Sequence, residues 1–356
     1  MSTVDYKREL GALVDLIIQE KASDLHLSFG AHPLIRVSGI LIPLVKKPIL
    51  NAADLDGFAK ILMRDDQYKR FIQFNEVDFS YENANGVRFR GNAFHQRGQK
   101  GIALRLIPNV IRDFAELNLP PILESFTQRT QGFFLCVGPV GQGKSTTLSA
   151  MINVINKTRA EHIVTIEDPI EYVYQEEKSL IDQREIGIDS ESFQTALNAA
   201  FRQDVDVILV GEMRNVETIS AAVTAAETGH LVYSTLHTND AAQTISRIVD
   251  SFPGSQQDQI RVQLASSLVA IFSQRLIPHI AGGLVPAFEL LINNTAVSNL
   301  IRENRIHEVP SVIETGLEQG MIDMNRSLAR LVQNGDITVE NAFTHASNPK
   351  GLERLL

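Results

Sequence analysis

Over residues 6–19 apolar side chains recur at helical spacing, at Leu10, Leu13, Val14, Leu16 and Ile17, which predicts an amphipathic helix with that stripe turned to a core. The pattern then alternates. Residues 23–28 read as a half-buried strand, and Leu34-Ile35-Arg36-Val37 meets the turn pair Ser38-Gly39 before Ile40-Leu41-Ile42, the outline of a hairpin. Residues 54–63 return to helical spacing. Residues 77–81, the Asn85-Gly86 turn and residues 87–94 outline a second hairpin, and residues 102–107 add a further strand. Residues 1–107 are therefore expected to form a small antiparallel α+β domain.

Pro108 and Leu119-Pro120-Pro121 mark a linker over 108–120, because proline breaks helix and strand ladders and disfavours helix at the residue before it. From 121 to 356 the rhythm changes. Strands are expected at 133–137, 162–166, 205–210 and 231–236, with helices between them at 146–155, 192–201 and 216–227. Strands alternating with helices predict an α/β domain with a mostly parallel sheet covered on both faces. Helices are expected again at 257–276 and 295–303, with a helical tail over 323–356, and no internal repeat or low-complexity tract is visible.

A length of 356 residues supports two domains rather than one core. Hydrophobic content of 44% and charged content of 21% describe a soluble globular chain. Charges at Asp5, Lys7, Arg8, Glu9 and Asp15 fit neither a signal peptide nor a membrane anchor. No apolar run reaches the roughly 20 residues that span a bilayer. The lone cysteine, Cys136, falls in an apolar run and excludes an intramolecular disulfide or a Cys-rich zinc site, which is compatible with the cytoplasm. A net charge of −9 argues against a dedicated nucleic-acid binder, although a local basic groove is compatible with it.

The chemistry starts at Gly138-Pro139-Val140-Gly141-Gln142-Gly143-Lys144-Ser145, set between the apolar run 133–137 and a helix. This is the P-loop pattern in the context its physics demands. Gly138, Gly141, Gln142 and Gly143 let backbone N–H groups surround the β-phosphate, and the helix N-terminus, with Thr146, adds partial positive charge. Lys144 reaches for the β- and γ-phosphates, and Ser145 for Mg²⁺; the cofactors expected are ATP and Mg²⁺. In a parallel sheet, ligands bind beyond the carboxyl ends of the strands. Three predicted strands end there at Glu167-Asp168, Gly211-Glu212 and His237. A P-loop hydrolase needs an acid to orient and deprotonate water, an acidic group near the metal and a sensor of the γ-phosphate. Glu212 is the candidate base, Glu167 the candidate for the metal shell and His237 the candidate sensor. Each alone reads as a surface carboxylate or a structural histidine; their coincidence at successive strand ends favours a site. His230 stands at the other end of the last strand, about 20 Å away at strand rise, and is expected to support the sheet or a subunit contact.

Four boxes in this order resemble those of secretion and pilus ATPases, specifically the type IV pilus retraction ATPase family, the PilT family. They are the P-loop, Thr165-Ile166-Glu167-Asp168-Pro169-Ile170-Glu171 like an Asp box, Ile208-Leu209-Val210-Gly211-Glu212-Met213-Arg214 like a Walker B box, and the stretches Thr228-Gly229-His230-Leu231 and Leu236-His237-Thr238 like a His box. The likeness runs nearly end to end and includes Ser23-Asp24-Leu25-His26. Gly211 departs from P-loop ATPases that place a metal-holding Asp there, in agreement with the family. The resemblance implies a PAS-like N-terminal domain, a RecA-like ATPase domain and a homohexamer working on an inner-membrane pilus platform protein, at the cytoplasmic face of that membrane. It also implies that arginines of the N-terminal domain reach ATP; by position these are similar to Arg90 and Arg105, with Arg88 and Arg97 as helpers. Arg88 and Arg90 alternate onto one strand face, a paired positive surface.

Assembly and type II secretion ATPases of this superfamily tend to carry a longer N-terminal extension and a four-cysteine zinc site. This chain starts on the PAS-like unit and has one cysteine. The segment Ala296-Val297-Ser298-Asn299-Leu300-Ile301-Arg302-Glu303 resembles the retraction-associated A-I-R-N-L-I-R-E pattern, with Ser298 in place of an arginine. That departure leaves room for an accessory retraction paralogue. The function expected is ATP-driven pilus retraction, with a nucleic-acid translocase and a nucleotide-gated, non-hydrolysing scaffold as alternatives. The acidic balance and the lack of a basic, aromatic-rich segment count against the first alternative. Lys144, Ser145, Glu167 and Glu212 together count against the second.

Overall fold

The computed structural model describes residues 5–37, 39–107 and 110–356; the expected turn residue Ser38 and the linker residue Pro108 lie outside them. The chain divides into two units, Met1–Asn109 with Glu171–Val173, and Val110–Ile170 with Tyr174–Leu356.

The first unit runs α1 (Tyr6–Gln19), β1 (Asp24–Ser28), β2 (Leu34–Val37), β3 (Ile40–Pro43), α2 (Ala52–Leu62), α3 (Asp65–Phe74), β4 (Glu76–Glu82), β5 (Arg88–Gln96) and β6 (Gln99–Ile107). Its six strands form an antiparallel sheet in the order β3-β2-β1-β6-β5-β4. The stripe expected on α1 is the one buried, with Leu10, Leu13, Val14 and Ile17 against Leu25, Leu27 and Phe89. Asp5 caps α1 by accepting from the amide of Arg8 at 3.1 Å. A reciprocal capping box between Asn51 and Asp54 starts α2. The sequence pattern did not show α3, whose face is mostly polar, with Gln67 and Phe71 as its buried residues.

The second unit begins with α4 (Leu123–Thr127), β7 (Gly132–Val137), α5 (Lys144–Thr158), β8 (His162–Glu167), β9 (Leu180–Glu185), α6 (Phe193–Ala200), β10 (Val207–Val210), α7 (Val216–Glu227) and β11 (Leu231–Leu236). It continues with α8 (Ala241–Asp250), α9 (Gly254–Ser267), β12 (Leu268–Pro278), β13 (Leu284–Ile292), α10 (Thr295–Arg302), α11 (Val309–Thr315), α12 (Met324–Gln333), α13 (Val339–His345) and α14 (Pro349–Glu353). The sheet order is β13-β12-β7-β11-β10-β8-β9, parallel throughout except for the antiparallel edge β13. Its inner strands β7, β10 and β11 are buried on both faces, so alternate residues feed two cores. Phe133, Leu135 and Val137 meet α6 to α10, while Phe134 and Cys136 meet α5 through Leu148, Met151, Ile152 and Ile155.

One expectation is corrected. The helix expected over 257–276 stops at Ser267, and Leu268 starts strand β12. A short apolar run such as Leu268-Val269-Ala270-Ile271-Phe272 fits a buried strand and a buried helix equally by periodicity; its pairing with β7 decides for strand. The helical tail expected over 323–356 consists of three short helices, broken at Asn334-Gly335, where Gly335 takes φ 79°, and at Asn348, the cap that precedes Pro349.

Candidate nucleotide site

Between β7 and α5 the backbone turns through Gly138, Gly141 and Gly143, at φ 145°, 78° and 78°. Only glycine enters that region without strain. At Gly138 space is also short, since a Cβ there stands 2.4 Å from the carbonyl oxygen of Gln274. Strand β12 thus backs the loop closely, and its side chains fasten it. Thr147 Oγ1 donates to Gln274 Oε1 at 2.6 Å, Gln274 Nε2 donates to the Gln142 carbonyl at 2.8 Å, and Gln142 Oε1 accepts from the amide of Leu276 at 2.7 Å. The side chain of Gln142 is committed to β12, and the cofactor contact expected of this residue is through its backbone N–H. The strand that sequence analysis read as helix therefore sets the shape of the loop.

Lys144 opens α5 and is only 7% exposed. Its ammonium donates to the carbonyls of Gly138 and Pro139 at 2.8 and 2.9 Å and lies 3.2 Å from Nδ1 of His237. An ammonium has no lone pair, so Nδ1 accepts and the imidazole proton sits on Nε2. That nitrogen lies 3.2 Å from Glu212 Oε1. The other oxygen, Oε2, takes Arg214 through Nε at 3.0 Å and a terminal nitrogen at 2.9 Å. This bidentate grip raises the guanidinium pKa further above its ordinary value. Lys144, His237, Glu212 and Arg214 are thus one hydrogen-bonded chain.

Sheet order explains the convergence. β7, β11, β10 and β8 are consecutive neighbours, so Gly138, His237, Gly211-Glu212 and Glu167-Asp168 leave the same edge side by side. Glu167 is 8% exposed and its Oε1 accepts from Thr165 Oγ1 at 2.8 Å. A Cβ at Gly211 would stand 3.3 Å from the Ile166 carbonyl and 3.4 Å from Glu167 Cα, so any larger residue there needs β8 to give by a few tenths of an ångström. Ser145 and Thr146 are half-buried in the first turn of α5. Beside them opens a cavity of about 310 Å³, with Arg112, Leu119, Gly143, Leu276, Leu284 and Pro286 among its walls.

Arg90 and Arg105 belong to the first unit, where they are direct register partners on β5 and β6. Both are exposed, and Arg105 Nε donates to Asp24 Oδ1 at 2.9 Å. Arg88 lies on the same face of β5, whereas Arg97 takes a left-handed φ of 50° in the β5–β6 turn. His230 stands before β11: its Nδ1 lies 3.0 Å from the Ala225 carbonyl, and its ring meets Phe201 edge-on at 5.6 Å. Ser298 is used internally: its hydroxyl on α10 lies 2.9 Å from the Ala265 carbonyl and 3.0 Å from Asn293 Oδ1, the two acceptors that share its single proton. Among the described residues no group of three or more His, Cys, Asp or Glu is placed to hold a metal ion, and no helix is long and apolar enough to cross a membrane.

A family model described as "Type II/IV secretion system protein" matches residues 5–310. The chain is 46% identical over 336 residues to a twitching motility protein of Neisseria gonorrhoeae, covering 94% of this chain and 89% of that one. It is 43% identical over 342 residues to the type IV pilus retractation ATPase PilT of Pseudomonas aeruginosa, covering 96% and 99%. Among solved structures, the pilus retraction motor PilT with bound ADP superimposes with a TM-score of 0.90 at 46% identity, covering 96% of this chain and 98% of that one.

Proposed function

The chain belongs to the family of type II/IV secretion system proteins, and from there we propose that it is an ATP-hydrolysing motor that powers retraction of type IV pili, the basis of twitching motility. The observation that carries the chemistry is the contact chain from Lys144 through His237 to Glu212 at the carboxyl edge of the sheet. The P-loop amides and Lys144 bind the β- and γ-phosphates, drawing the ammonium from the carbonyls it now holds. In the neighbouring cavity Leu117, Leu119, Leu276, Leu284 and Pro286 suit the faces of a nucleotide base, with Arg112, Glu116 and Gln274 beside them as polar partners. Glu212 orients the attacking water and takes its proton, and His237 reads the γ-phosphate from its place between Lys144 and Glu212.

The donors fit Mg²⁺. They are the half-buried Ser145 hydroxyl and the buried Glu167 carboxylate, oxygen donors that suit an ion which keeps several waters and arrives with phosphates. Ser145 would hold it directly and Glu167 through water, and bound there it neutralises phosphate charge. Arg90 and Arg105 are the residues of the first unit assigned to the transferred phosphoryl, their like charges already paired across two strands. The assembly proposed is a homohexamer acting on an inner-membrane platform protein, at the cytoplasmic face. Deleting the gene in its native host and imaging the pili tests the direction of work. Excess pili that do not retract are expected, whereas bald cells would make the protein an assembly motor.

A further inference from the structure

The loop that carries His237, residues 237–240, runs from β11 into α8, and one rung of the β12–β13 pair holds it at two points. Ser273 Oγ donates to the carbonyl of Asn239 at 2.7 Å, and Glu289 Oε1 accepts from the amide of Ala241 at 2.8 Å. Ser273 and Glu289 are register partners, so a donor and an acceptor grip the loop from adjacent strands. The next residue on β12, Gln274, points to the opposite face and holds the P-loop. The two halves of the nucleotide site are thus fixed to successive residues of one strand. We propose that Glu289 is a positioning residue for His237, its carboxylate on the first amide of α8 setting where the histidine stands between Lys144 and Glu212. The inference rests on the assignment of His237 and Glu212 to ATP hydrolysis.

The grip depends on charge, because a carboxylate at a helix N-terminus meets unpaired amides and the positive end of the helix dipole. Burial pushes the Glu289 carboxyl up to about 7, against the Ala241 amide, which pulls it down. The charged groups facing it are Asp240 at the cap of α8 and Asp323 at the cap of α12, which raise it further, and Arg275 on β12, which lowers it. Glu289 therefore passes from neutral to ionised near neutrality, and its hold on the loop tightens as pH rises through that point.

The test is steady-state ATP hydrolysis by the full chain and by Glu289→Gln across about pH 6 to 8.5, with binding of fluorescent ADP measured in parallel. Glutamine keeps the acceptor and loses the charge. Nucleotide affinity is expected to stay within about twofold, with kcat equal to wild type at the acid end and falling behind to about fivefold at the alkaline end. A rate ratio that does not change with pH, or equal losses of affinity and turnover, overturns the proposal. Should that variant not fold, Glu289→Asp withdraws the carboxylate by one methylene and is expected to lower kcat with affinity kept; an unaltered kcat overturns the proposal there too. Glu212→Gln run alongside separates the two claims. Full turnover in it removes the site assignment, whereas a dead Glu212→Gln beside a pH-independent Glu289→Gln ratio removes only the positioning role.

Discussion

The ammonium of Lys144 lies 3.2 Å from Nδ1 of His237, and the same ring reaches Glu212 through its other nitrogen at 3.2 Å. The group that recognises phosphate and the group assigned to activating water are therefore two bonds apart through one neutral imidazole. A phosphate that draws Lys144 away from Nδ1 frees that nitrogen for a new partner while Nε2 keeps its contact with Glu212.

Glu212→Gln is expected to keep nucleotide binding and lose turnover by about a hundredfold or more, the range for removing a general base. Phosphate release measured beside fluorescent-ADP binding checks it. Undiminished release would take Glu212 out of the catalytic role and leave it as the partner of Arg214.

Lys144→Ala removes the ammonium that holds two P-loop carbonyls and the His237 ring. Loss of measurable ATP binding in a calorimetric titration is the expected result. Retained affinity would mean that the loop amides bind the nucleotide alone.

Arg90 faces Arg105 across the β5–β6 pair, and like charges directly opposite destabilise a sheet by up to about 1 kcal/mol. Arg90→Ala should therefore leave the melting temperature of the protein unchanged or slightly raised while lowering kcat more than nucleotide affinity. An unchanged rate makes it a structural arginine.

Gln274→Ala strips partners from Thr147 and the Gln142 carbonyl, a loss of about 1–3 kcal/mol for each buried group left unpaired. Weaker nucleotide binding with the rest of the fold intact is expected, read as a rise in Kd and an unchanged circular dichroism spectrum. Wild-type affinity would show that the glycines shape the loop without β12.

His162 supplies a pH dependence of stability. Burial alone lowers its pKa, but the Asp182 carboxylate and the carbonyls of Asp204 and Gln203 outweigh it and raise the value above 6.5. The folded state thus holds the proton more tightly than the unfolded chain. The stabilisation is complete below about pH 6.5 and is lost as pH rises through the higher folded value. Urea midpoints measured through that window should fall with pH in wild type and fall less in His162→Gln; parallel slopes would exclude the histidine as the source.

The P-loop and the strand-end acids were legible because they are written in consecutive residues whose backbone needs are specific: glycines at positive φ, an apolar run before them and a helix after. Helix α7 and strand β11 were legible in full for the same reason. Strand β12 was not, since its buried half carries no alternation and the helix before it continues the apolar pattern. Strand β13 contains Pro286, and an edge position is where a sheet tolerates proline. Gln274, Ser273 and Glu289 went unseen with these strands, because their significance lies in the P-loop and the start of α8 that the sheet order brings beside them. The two histidines that flank β11, His230 and His237, show the converse. Spacing alone placed the two histidines at opposite ends of β11, and the structure has one against Phe201 and the other against Lys144.

Cys136 lies fully enclosed in β7, and burial pushes its thiol up to about 12. Alkylating reagents need a thiolate they can reach, so the chain as nature wrote it is silent to maleimide chemistry. A cysteine introduced in each unit would be the sole handle for a fluorophore or spin label. Distances between such reporters during turnover could then be followed without first engineering anything away.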